Sequence, residues 1–169
     1  CARSGTTRFI PGSIHILINR CGKLYFYGPL ANVMGGEVLF VSIDDSLTAK
    51  DKGTTCQEAV DWHHDHTRSQ GKKQVYTNGT QHVEVRIQLG DRAYVFDWGL
   101  YLREKTVRRL NRKRPKGQRL SFRSKYRIVR AILVELKKLL PAGFPVYILF
   151  DSWYASNNLL KFCRRQSLH

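Results

Sequence analysis

The sequence predicts an α/β fold in the order strand, strand, strand, helix, strand, helix, and three patterns carry that prediction. A nearly unbroken apolar run at residues 38–43 has strand length and the character of a strand covered on both faces. At 83–89, Val83, Val85, Ile87 and Leu89 alternate with Glu84, Arg86 and Gln88, which puts one apolar face on an extended segment. Between 121 and 140 the period lengthens: Phe122, Tyr126, Val129, Leu133, Leu136 and Leu140 recur at alternating four- and three-residue steps, the stripe of an amphipathic helix.

The remaining elements follow in order. Residues 1–37 show no sustained period and are broken by Gly5, Pro11-Gly12, Gly22, Gly28-Pro29 and Gly35-Gly36, so they read as an irregular lead-in or remnant. The first strand, 38–43, is expected at the centre of its sheet. Residues 46–79 are polar and read as one long connection containing Trp62-His63-His64-Asp65-His66. The second strand turns at Gly90-Asp91 into an aromatic, β-rich hairpin partner at 93–102. A basic loop follows, carrying Arg108, Arg109, Arg112, Lys113, Arg114, Lys116 and Arg119. Ser121 is the expected cap of the long helix, Lys137-Lys138 suit its last turn, and Pro141-Ala142-Gly143 stop it. Residues 146–150 form the fourth strand, and Ser156-Asn157-Asn158 cap a final helix carrying Leu159, Leu160, Phe162 and Cys163.

At 169 residues and 42% hydrophobic content the chain suits one globular domain. Its formal charge of +16 exceeds what solubility requires and points to a polyanion, nucleic acid first. No apolar run approaches the ~20 residues that cross a bilayer, so no membrane partner is expected. Cys1, Cys21, Cys56 and Cys163 are scattered without a Cys-x-x-Cys pair, which argues against a zinc finger and for free thiols.

Two apolar runs end on acids: 38–43 runs into Asp44-Asp45-Ser46, and 146–150 into Asp151-Ser152. A buried strand has no use for a carboxylate, whereas its end opens where ligands gather. Two such groups on neighbouring strands suit a hard divalent ion, although each alone reads as a turn or helix cap. His63, His64, Asp65 and His66 are less suited to one transition metal, because adjacent residues rarely face a single ion. Trp153 and Tyr154 read as core ahead of a base-stacking role.

The motifs VSIDDSLTAK, DWHHDHT and VYILFDSWYAS resemble the DDE-type transposases of bacterial insertion sequences. The element order likewise resembles the first part of a ribonuclease-H-like fold: a three-strand antiparallel meander, then helix, parallel strand and helix. The resemblance covers 38–169, read as a partial domain of that type. It implies Asp45 as the first catalytic aspartate, with Asp44 the alternative, and Asp151 as the second, both holding Mg²⁺ or Mn²⁺ in a two-metal site. It implies DNA, as transposon ends and target, for partner, a homodimer on paired ends, and a bacterial cytoplasmic, nucleoid-associated location. The family's third acid lies on a helix beyond the second aspartate, whereas residues 152–169 contain no Asp or Glu and Glu135 precedes Asp151. The expectation is therefore a domain incomplete at its C-terminal side. A catalytically silent DNA-binding module and a ribonuclease of the same fold are the alternatives. The basic residues from Arg108 to Arg119 would contact phosphates without reading sequence.

Overall fold

The structure is a computed structural model that describes residues 15–18, 24–27, 38–54, 56–71 and 73–169. Residues 1–37, expected to be irregular, contain β1 (His15–Ile18), which pairs antiparallel with β2 (Leu24–Tyr27) as a two-stranded sheet. Five further strands form the main sheet: β3 (Leu39–Ala49), β4 (Asp61–His64), β5 (Tyr76–Leu89), β6 (Arg92–Tyr101) and β7 (Val146–Phe150). β5 pairs with β3 along one edge and with β6 and β4, end to end, along the other. Every pairing in it is antiparallel except that of β3 with β7. The expected mixed sheet is what forms: β3, β5 and β6 make the meander, and β7 adds parallel to β3 after a helix.

α2 (Lys125–Leu139) lies against β5 and β6, and α3 (Asn157–Arg165) lies against α2. The buried face joins Val41, Val83, Val85 and Val146 of the strands to Val129, Leu133, Leu136 and Leu159 of the helices. Burying such side chains contributes about 1.5–3 kcal/mol each and fixes strand register, because a one-residue slip would turn every apolar side chain outward. The opposite face carries exposed Phe40, Tyr147, Leu149 and Trp98. Gly99 on β6 allows close helix packing, since a Cβ there would overlap Cγ2 of Ile128. Gly90 turns the β5–β6 hairpin with φ 58°. No helix among the described residues is long and apolar enough to cross a membrane.

Five expectations need correction. The strand at 38–43 is covered on one face and not on both, since Phe40 is 41% exposed and Ser42 is exposed. The first strand does not end at its acids: β3 continues through Asp44 and Asp45 to Ala49, because β5 pairs its backbone as far as Gly79. The connection at 46–79 is not one loop, since the end of β3, all of β4 and the start of β5 lie within it; Asp61 and His63 point inward while Trp62 points out. The basic loop contains a helix, α1 (Glu104–Asn111), seated by buried Thr106 and Val107, with Glu104 in its first turn and Arg108 and Arg109 in its last, matching the helix dipole. The cap of α2 is Ser124 and not Ser121; Ser124 Oγ accepts from the Arg127 N–H at 3.3 Å. The cap predicted at Ser156 is present, accepting from the Leu159 N–H at 3.3 Å. Cys56 and Cys163 are free thiols, whereas Cys1 and Cys21 lie outside the described residues.

Candidate active site

The parallel ladder stops where Ile43 meets Phe150, while β3 runs on. Past that point the edge of β3 facing β7 is open, and the chain leaving β7 turns beside it at Asp151. Leu39, Val41 and Ile43 face the helices, so by alternation Asp45 is the next residue on that face. Asp44 lies on the other face, with Ser42, Ser46, Glu84 and Arg86 around a cavity of about 170 Å³. Asp44, Asp45 and Asp151 all border a larger cavity of about 440 Å³ whose wall includes His64, His66, Lys125, Trp153 and Tyr154.

Asp45 is held by three donors. Lys125 Nζ lies 2.7 Å and Gln81 Nε2 2.6 Å from its Oδ2, and the Tyr154 hydroxyl donates to Oδ1 at 3.2 Å. Each donor is positioned by its own element: Lys125 opens α2 directly after the Ser124 cap, Gln81 is an inward-facing residue of β5, and Tyr154 is buried in the core. Burial, then the neighbouring Asp45, Asp44 and Asp151, pushes the Tyr154 phenol far above its usual range, so it stays an O–H donor. Asp151 is exposed and its Oδ1 accepts from the Trp153 N–H at 3.0 Å, a turn-forming contact. The Tyr126 hydroxyl fixes the same turn through the Trp153 carbonyl at 2.7 Å.

Rings line the adjoining wall. His66 packs on Trp153 at 4.6 Å between centroids, His64 meets His66 at 4.2 Å, and Tyr76 lies 5.4 Å from His64. The core reading holds for Tyr154, 2% exposed, but not for Trp153, whose ring is 64% exposed. Asp65 spends its oxygens on the Thr77 hydroxyl and the Arg68 N–H, and the Thr77 bond leads in lowering its pKa. His63 faces inward; burial, partly opposed by Asp61, keeps its imidazole neutral to lower pH than usual. Among the described residues no three His, Cys, Asp or Glu side chains are grouped to hold a metal.

The predicted basic residues do not act as one unit. Arg108 pairs with Glu104 at 2.6 Å, Arg114 with Glu58 at 2.7 Å, and the Arg109 guanidinium faces the Val60 carbonyl at 3.5 Å. Arg112, Lys113, Lys116 and Arg119 are exposed and make no ion pair among the described residues. Sequence reasoning missed Lys125, Gln81 and the hydroxyl of Tyr154. Gln81 had a signal, since it continues the inward period of Val83, Val85 and Ile87 by one step.

The sheet has the mixed order of a ribonuclease-H-like fold, with one aspartate on an inner strand and another just past its parallel neighbour. A family profile described as DDE superfamily endonuclease matches residues 7–169, and the chain belongs to that family. DNA is the substrate of the family's cleavage chemistry, and its members generally use divalent metals. No curated protein and no solved structure matches the chain at a significant level.

Proposed function

We propose that this chain is the catalytic domain of a transposase that cuts and joins DNA at insertion-sequence ends, with Asp45 and Asp151 as its metal ligands. The observation that carries the reading is that these two aspartates, one on β3 and one just past its parallel neighbour β7, border one cavity. The donor chemistry suits Mg²⁺ or Mn²⁺, because such hard ions need only one or two carboxylates when water and substrate phosphates complete the shell. When bound, the metal supplies Lewis-acid activation of water or a DNA 3′ hydroxyl and offsets charge on the leaving oxygen.

The protein's own residues do the positioning. Tyr154 and Gln81 hold the Asp45 carboxylate in one rotamer, so its oxygens need no reorientation. Asp151 is exposed and lines the same cavity. Exposed Arg112, Lys113, Lys116 and Arg119 offer phosphate contacts that orient the duplex without reading its sequence. Transposon ends and target DNA are the proposed partners, engaged by two copies in the bacterial nucleoid.

The test is Asp45→Asn and Asp151→Asn assayed for Mg²⁺-dependent nicking. Both should lose strand cleavage and keep nearly full DNA affinity, whereas retained nicking by both overturns the reading. A second reading, a DNA-binding module without cleavage, is favoured by one observation: α3, the helix following Asp151, carries no carboxylate. Salt-sensitive DNA binding by the wild-type chain, with no nicking in Mg²⁺ or Mn²⁺, would select it.

A further inference from the structure

Asp45 already has a cation. Of the three donors on its carboxylate, only Lys125 is charged, and its Nζ sits 2.7 Å from Oδ2. Gln81 and Tyr154 belong to the packed interior, 9% and 2% exposed, whereas the Lys125 side chain is 29% exposed. A divalent ion and an ammonium cannot share that oxygen comfortably, because like charges a few ångströms apart repel strongly at a partly dehydrated site. Lys125 is the donor able to leave. Its backbone is pinned at the first residue of α2, its stem carries four methylenes, and its ammonium stands 5.5 Å from the Tyr101 ring on the cavity wall. A short swing keeps it inside the cavity that a phosphate backbone would enter.

We propose that Lys125 is a positioning residue that neutralises Asp45 in the metal-free protein, yields the carboxylate to the metal, and then meets the DNA phosphate. Metal and DNA binding therefore favour each other, and by thermodynamic linkage the coupling is reciprocal. The inference rests on the proposed role of Asp45 as a metal ligand. It adds a residue whose charge is used twice.

The experiment titrates Mn²⁺ into DNA-free wild-type, Lys125→Gln, Lys125→Arg and Asp45→Asn proteins, following free Mn²⁺ by electron paramagnetic resonance. Lys125→Gln should bind Mn²⁺ about tenfold more tightly than wild type, on the usual scale of coupling between two sites. Lys125→Arg, which keeps the charge, should stay near wild type. Mn²⁺ should raise the affinity of wild type for a short duplex and raise that of Lys125→Gln several-fold less. In the wild-type protein the Lys125 ammonium resonance, protected by its bond to Asp45, should broaden into solvent exchange on adding Mg²⁺, a readout that needs no variant. Unchanged or weaker Mn²⁺ binding by Lys125→Gln, or an ammonium signal indifferent to Mg²⁺, overturns the inference while Asp45→Asn still loses the metal. If Asp45→Asn binds Mn²⁺ normally, the ligand role of Asp45 fails first and the inference goes with it.

Discussion

The hydroxyl of Tyr154 donates to Oδ1 of Asp45 at 3.2 Å, tying the turn after β7 to β3 across 109 residues of sequence. Because burial and nearby carboxylates keep that phenol protonated, the donor persists across any working pH. Tyr154→Phe keeps the ring in the core and removes one hydrogen bond, so stability should fall by about 0.5–1.5 kcal/mol. Nicking should slow more than DNA affinity changes. Urea denaturation and a nicking assay on the same preparation check both, and an unchanged rate would assign Tyr154 to packing alone.

A second buried bond joins β4 to α1. Thr106 donates to Asp61 Oδ2 where both side chains are nearly inaccessible, 1% and 8% exposed. Thr106→Val should cost roughly 1–3 kcal/mol, the penalty of leaving a buried acceptor short of a donor. Burial works against ionised Asp61, yet Thr106, the Trp62 N–H and Lys105 outweigh it and hold its carboxyl below the ordinary 3.8. A lowered folded pKa means stability present above 3.8 and lost as pH falls through the lowered value. Denaturation at a series of pH values should show a shallower acid limb in Thr106→Val than in wild type.

Trp153 presents its ring to solvent beside Asp151 and rests on His66. Exposed rings can serve as platforms for unpaired bases, contributing ~1–3 kcal/mol per base. Trp153→Ala should therefore weaken binding of a single-stranded oligonucleotide by roughly 5- to 150-fold. Trp98→Ala, on the far face of the sheet, should leave it unchanged. Fluorescence anisotropy with a labelled oligonucleotide decides, and equal affinities for the two variants would remove the stacking role.

Replacing Arg112, Lys113, Lys116 and Arg119 together by Gln should flatten the dependence of DNA affinity on salt. Each lost phosphate contact lowers the slope of log K against log salt by ~0.9 for duplex DNA. Binding isotherms across a salt series measure it. A slope identical to wild type would put the DNA path elsewhere.

Gly99→Ala is expected to destabilise by about 1–3 kcal/mol, because the new methyl meets Ile128 in a packed layer. Adding Ile128→Ala should recover part of the loss caused by Gly99→Ala, which a thermal melt of single and double variants reports.

The elements legible in the sequence were those whose inward face is apolar. Val83, Val85 and Ile87, Val129, Leu133 and Leu136 of the α2 stripe, and Val146 of the last strand all met the layer their periods required. Elements whose pairing runs beneath polar side chains were not legible. Thr77 and Asn78 on β5, and Ser46 and Thr48 on β3, have paired backbones that no hydrophobic pattern reports. α1 was hidden because only Thr106 and Val107 anchor it. Asp45 and Asp151 could be picked out because acids beside apolar runs stand out. Their surroundings could not: the Lys125 pair closes over 80 residues and depends on how α2 docks, which its own stripe does not specify.

Asp45 sits within a continuous antiparallel ladder, opposite Val83 and flanked by paired residues on both sides. Asp151 hangs from a turn after the last residue of β7. One side of the cavity is a strand held by a ladder, and the other is a turn held at the Trp153 carbonyl and the Tyr154 hydroxyl, with Asp151 itself exposed. Asp45 is thus set by the β3–β5 register, whereas exposed Asp151 has only its turn to place it, so the accommodation of differently bent or frayed duplexes falls on the Asp151 side. Retuning this domain to another DNA geometry would begin with the four or so residues of that turn, leaving the strand that carries its partner untouched.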